Sequence, residues 1–137
     1  MRYFRSALLL MVLCTFFAYH TTNAALLPVG ASVRVSSQAA GAQTNIDLRF
    51  QMENGVSTVL DTISVTFASG FSLASITAAD IDLLHGSAYE VNETIASTPA
   101  AGVWGAAISG RTITLTPPTD VGASEIVDGA LVGIRIG

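Results

Sequence analysis

The chain contains no lysine: all six of its cations are arginines, and Arg2 and Arg5 sit at the extreme N-terminus. It has one cysteine, Cys14, so an intrachain disulfide is excluded and a thiolate metal centre has no second sulfur to build on. Histidine is nearly absent too, with only His20 and His85. A zinc site of the usual kind needs three or four His, Cys or carboxylate ligands, which leaves transition-metal catalysis without a ligand set. Charged residues make up 12% of the chain and aromatic residues 7%. No stretch carries the 3.6-residue apolar period over the ten or more positions that a helix-dependent α/β fold requires.

The longest apolar run is at the start. Arg2 and Arg5 precede apolar residues 7–18, and the polar segment His20-Thr21-Thr22-Asn23 leads into Ala24-Ala25. A charged, then apolar, then small-residue order is that of a secretory signal peptide, and the run is shorter than the roughly 20 residues a membrane-crossing helix needs. Cleavage is expected after Ala24, with Thr22 and Ala24 as the small residues before the cut. Leu13 precedes Cys14 where a lipidation site wants a small residue, so Cys14 leaves with the signal. The sequence therefore divides into a signal peptide at 1–24, a linker at 25–30 containing Pro28, and a single domain at 31–137. Localisation is expected to be secreted or cell-surface.

Removing the signal sharpens the composition. Residues 25–137 keep Arg34, Arg49, Arg111 and Arg135 against ten carboxylates, a formal charge of −6, and no cysteine. That sign disfavours nucleic acid and anionic membrane surfaces as partners. Stability must come from packing alone, which one domain of this size can supply.

What is present is β patterning. The organising stretch is 58–84, where Ile63, Val65 and Phe67 alternate with Ser64 and Thr66, and Ile81 and Leu83 alternate with Asp80 and Asp82. A period of two rich in β-branched residues marks strands with one face on a core. Before it, Val33 and Val35 alternate with Ser32, Arg34 and Ser36, and residues 45–52 set Ile46, Leu48, Phe50 and Met52 against Asp47, Arg49 and Gln51. Glu53-Asn54-Gly55 offers the positive φ of a tight reversal between this strand and the next. After it, Trp104, Ala106 and Ile108 form one face of a hairpin strand that turns at Ser109-Gly110 into Ile113 and Leu115 and stops at Pro117-Pro118. The closing strand, 131–136, puts Val132, Ile134 and Ile136 opposite Arg135. Residues 86–99 carry a weak pattern, a poor strand or a long loop. These readings predict an all-β sandwich of about seven to eight mostly antiparallel strands.

Candidate sites are few. Asp80 and Asp82, on one side of a strand and about 7 Å apart, could contribute to a calcium site, but calcium wants six to eight oxygens and no loop of regularly spaced acids accompanies them. Calcium is the only cofactor the residues suggest, and a solvated strand face is the plainer reading. Gly70-Phe71-Ser72-Leu73-Ala74 falls one residue short of the G-x-S-x-G nucleophile elbow and lacks both the α/β sheet and the late histidine that motif needs. Trp104 would suit sugar stacking if it were exposed, but its phase puts it inward beside Phe50 and Phe67. Tyr89 is the aromatic expected to be free. Asn92-Glu93-Thr94 matches a glycosylation acceptor too short to carry weight.

Residues 65–71 (VTFASGF), 76–83 (ITAADIDL), 104–109 with 112–115, and the closing Ile134-Arg135-Ile136-Gly137 resemble a family of secreted immunoglobulin-like surface domains. These occur in long Ser/Thr/Ala/Gly-rich exported proteins of uncultured, small-genome bacteria. The resemblance implies an immunoglobulin-like sandwich acting as a non-catalytic structural or adhesive module. It also implies a further strand beyond Gly137, so the chain is expected to stop one strand short. The strand at 131–136 would then form an open sheet edge, to be filled by the missing segment of its own protein, by another surface-protein domain or by a neighbouring subunit. A glycan- or calcium-binding module is the alternative function.

Overall fold

The computed structural model describes residues 15–18, 29–37, 39, 41–120, 122 and 126–137. Ten strands occur among them: β1 (Thr15–Ala18), β2 (Val29–Val35), β3 (Ile46–Gln51), β4 (Ile63–Thr66), β5 (Ile81–Gly86), β6 (Val91–Asn92), β7 (Ile95–Ala96), β8 (Trp104–Ser109), β9 (Thr112–Thr116) and β10 (Leu131–Ile136). They form two sheets, ordered β1-β4-β9-β8-β7 and β2-β3-β10-β5-β6. All pairings are antiparallel except β7 with β8. The fold is thus an all-β sandwich.

Alternation determines which side of each strand enters the core. Along β3 the pattern puts Ile46, Leu48 and Phe50 inside and leaves Gln51 exposed, and Met52 is buried just past the strand end. On β4, Ile63 and Val65 are buried and Phe67 follows them inward, while Ser64 and Thr66 stay half-exposed. Trp104 on β8 and Val132, Ile134 and Ile136 on β10 complete the layer, together with Ile113 and Leu115 of β9. A fully buried aliphatic or aromatic side chain contributes about 1.5–3 kcal/mol relative to exposure, so this shared layer, not any staple, holds the sheets together.

The connections differ from the sequence reading in several places. Asn54-Gly55 does not make a hairpin, because β3 and β4 belong to different sheets and the chain crosses between them. Gly55 is required there for closeness: a Cβ on it would run into the Ile126 carbonyl, where Val56 and Ile126 form an isolated antiparallel bridge. The strand expected to start near Thr58 begins only at Ile63. Residues before it form a turn in which the buried Asp61 carboxylate accepts the Ser57 and Thr58 amides, both at 3.0 Å. A carboxylate holding two amides outcompetes continued pairing.

Val29 and Gly30, read as linker, belong to β2, which continues past a bulge between Val29 and Ser32. The weak segment 86–99 yields β6 and β7, two residues each, which raises the strand count above the seven or eight expected. The hairpin of β8 and β9 is as expected, with Gly110 at φ +58 in its turn. The closing strand is not an edge: β10 lies between β3 and β5 and pairs along its full length with both. Most of the signal-peptide reading falls on residues outside those described, except that Thr15–Ala18 pairs with β4 as β1.

Candidate functional site

The outer face of the second sheet gathers most of the charged groups that sequence reasoning singled out. Its strands are in register so that Arg34 of β2 is opposite Asp47 of β3, Asp47 is opposite Arg135 of β10, and Arg135 is opposite Asp82 of β5. Charges of alternating sign thus cross four strands in one row. Opposite charges placed directly across strands favour the observed register by tenths of a kcal/mol each. The row forms part of a shallow cleft of about 390 Å³, to which Asn45, Asp80 and Gly137 also contribute.

Asp80 and Asp82 both line this cleft, but not as a pair on one strand. Asp80 ends a single-turn 3-10 helix, Ala78–Asp80, ahead of β5. Its carboxylate accepts the Thr77 amide at 2.8 Å and the Thr77 hydroxyl at 2.7 Å, a reciprocal cap. The Thr77 hydroxyl bond, followed by the Thr77 amide, holds the Asp80 carboxyl below its ordinary range. The expected side-by-side strand geometry therefore gives way to a cap, because Thr77 offers the carboxylate donors that a strand position would not. Asp82 stays on the strand, opposite the guanidinium-bearing Arg135. No cluster of three or more His, Cys, Asp or Glu side chains suited to a metal occurs among the described residues.

One register step along, Arg49 donates to Asp47 through Nε at 3.1–3.2 Å and Nη2 at 3.0 Å, a fork-shaped ion pair. The same guanidinium lies 4.8 Å from the centroid of Tyr89, within cation–π range. Tyr89 is not the free ring expected. It is half-buried over β10, with Cδ1 3.2 Å from where a Cβ of Gly133 would stand. Gly133 leaves the gap the ring fills. Tyr89 itself adopts φ +59, the left-handed region that a bulky residue avoids.

Glu90 holds that conformation in place. Its carboxylate accepts the Ala88 amide at 2.6 Å, the Ser87 amide at 3.1 Å and the Ser87 hydroxyl at 3.0 Å. These donors, the Ala88 amide first, bring the Glu90 carboxyl down to about 2. Behind the turn, His85 points inward from β5, and its Nε2 lies 2.7 Å from Glu93 Oε1, with both side chains nearly buried. His85 thus occupies a strand position with a carboxylate partner.

The other candidates resolve simply. Trp104 has no exposed surface, so it is a core residue and not a sugar platform. Ser72 is exposed on the loop after β4, its Oγ accepting the Ala74 amide at 3.4 Å, while Leu73 is buried beside it. Phe71 packs on Phe67 with ring centroids 5.7 Å apart. Ser72 thus sits in a turn on one sheet, whereas His85 belongs to the other and is engaged by Glu93.

Sequence reasoning missed the cross-strand charge row, since a row depends on which strands are neighbours. It also missed the roles of Glu90 and Asp61. The signal for both was an acidic residue three or four positions after Ser or Thr, within reach of a local side-chain-to-backbone bond. Compared with known proteins, the chain matches no protein family, no curated protein and no solved structure. No helix among the described residues is long and apolar enough to cross a membrane.

Proposed function

We propose that residues 25–137 form an exported, non-catalytic sandwich module of the cell surface, immunoglobulin-like in kind and structural or adhesive in role. One observation supports this reading above others: the polar side chains best placed for chemistry are spent on holding the chain. Asp61 fixes the turn before β4, Asp80 caps the 3-10 helix, Glu90 closes the turn after β5, Asp47 forks Arg49, and Glu93 engages His85. Carboxylates that accept two or three donors have little capacity left for substrate or metal. They stiffen loops that an exported domain without disulfides must otherwise leave loose.

The N-terminal charge and apolar order supports export, and the lysine-free, acidic remainder suits a surface that repels other anionic surfaces. The test is protease shaving of intact cells expressing the full chain. Peptides from 29–137 released while the cells stay sealed are the expected result. Protein found only after lysis would overturn the reading.

A further inference from the structure

Each sheet must end somewhere, and three of the four ends are blunted. β2 is bulged between Val29 and Ser32 and carries Arg34. β6 and β7 are two residues long, and Pro99 lies just past β7, packed so tightly on β8 that a Cβ on Gly105 would meet its Cδ at 2.5 Å. Bulges, charge, shortness and proline are the ordinary protections of a sheet edge. At the fourth end the outermost described strand is β1, and β4 beneath it has none of these protections in its own sequence. β4 runs in unbroken register with β9, and residues 62–70 contain no charge and no proline. What covers β4 is β1, which pairs Thr15 with Thr66, Phe16 with Val65, Phe17 with Ser64 and Ala18 with Ile63.

β1 lies inside the segment read as the signal peptide. Cleavage after Ala24 would remove the strand that, among the described residues, covers this edge, leaving the β4 amides and carbonyls on that side without the β1 pairing next to the core. We propose that in the exported protein the β4 edge is an interface between two copies of this chain, each pairing its β4 antiparallel with the other's. This rests on the export reading above.

The occupant is a second copy because β4 is complementary to itself. Antiparallel pairing about Val65 sets Ile63 opposite Phe67 and Ser64 opposite Thr66. Residues equally distant from the centre then share a face, as a two-fold interface requires. The inward row joins Ile63, Val65 and Phe67 to the partner's own, continuing the buried layer. The outward row extends hydroxyl contacts already formed within the chain, Thr66 to Thr112 at 3.0 Å and Ser64 to Thr114 at 3.4 Å. Although residues 25–137 carry a net charge of −6, this strand brings no like charges together. β1 demonstrates the geometry, an antiparallel strand in continuous register on the same edge.

The experiment uses the full chain expressed in a secreting bacterial host. The exported protein is collected, its intact mass determined, and its association state followed by sedimentation from about 1 to 100 µM, a range in which weak specific interfaces are resolved. The expected result is a mature protein starting at Ala25 that dimerises with concentration. Ser64→Lys puts two lysines on one face at diagonal positions about 7–8 Å apart across the two-fold axis, and should weaken the dimer about tenfold or more. A peptide of residues 13–19, with serine for Cys14, should compete for β4 and return the wild-type protein to monomer. A correctly cleaved protein that stays monomeric at 100 µM would refute the interface while leaving export intact. A dimer indifferent to both Ser64→Lys and the peptide would also refute it. Exported protein that retains residues 15–18 would overturn the cleavage reading, and with it the open edge.

Discussion

Replacing Trp104 tests the packing account at its centre. Its side chain is fully buried, and a tryptophan removes about 150–250 Å² from water. At about 25 cal/mol per Å² that burial stabilises by about 4–6 kcal/mol. Against it stands the indole Nε1, which is buried without a hydrogen-bond partner among the described residues, a cost of about 1–3 kcal/mol. The difference is about 1–5 kcal/mol, and with the cavity that alanine leaves added to it Trp104→Ala should destabilise by about 3–5 kcal/mol, in line with large-to-small core substitutions generally. Since domains of this size have about 5–15 kcal/mol in total, the variant should melt about 10–20 °C lower or fail to fold. Trp104→Phe separates the two effects, because it removes the unpaired donor together with part of the ring. It should cost less than about half as much as alanine. Urea unfolding of the three proteins, followed by circular dichroism, gives both differences. If Trp104→Ala fell within about 1 kcal/mol of wild type, the central packing would be wrong. If Phe cost as much as Ala, the unpaired indole would not be the liability argued here.

Gly55→Ala should destabilise by about 2–4 kcal/mol, as backbone overlap with the Ile126 carbonyl would break the Val56–Ile126 bridge; thermal melting checks it. Asp61→Ala leaves the Ser57 and Thr58 amides without their acceptor and should cost about 1–3 kcal/mol, seen as faster amide exchange at those two residues. Glu90 has a folded pKa below its ordinary value, so its ionised form favours the native turn. That contribution is complete above the ordinary value of 4.5 and is lost as the pH falls toward about 2. The Ser87 and Ala88 amide resonances should move across that window in wild type and stay still in Glu90→Gln.

The two-faced strands were legible because burial on one side imposes the period-two pattern directly: Ile46, Leu48, Phe50 and Met52 could be assigned to the core from spacing alone. The inward phase of Trp104 and the β8–β9 turn at Gly110 followed from the same local rules. What could not be read was which strands become neighbours. β10 resembles an edge when viewed as the last strand of the sequence, yet pairing with both β3 and β5 makes it central. Asn54-Gly55 carries hairpin chemistry, but its actual constraint is a carbonyl from residue 126, seventy-one positions away in the sequence. Asp80 looked like half of a strand pair because alternation runs through it, and only the local bond to Thr77 draws it out of the strand. Tyr89 reads as free in the sequence because its partners, Arg49 and Gly133, come from two other strands.

We propose above that the folded sandwich is an exported module released from residues 1–24. The most direct measurement is the intact mass of the protein taken from the surface or medium of cells expressing the full chain. The account predicts a single species beginning at Ala25. A surface species that still carries Met1, or an absence of the protein outside the cell, would contradict it.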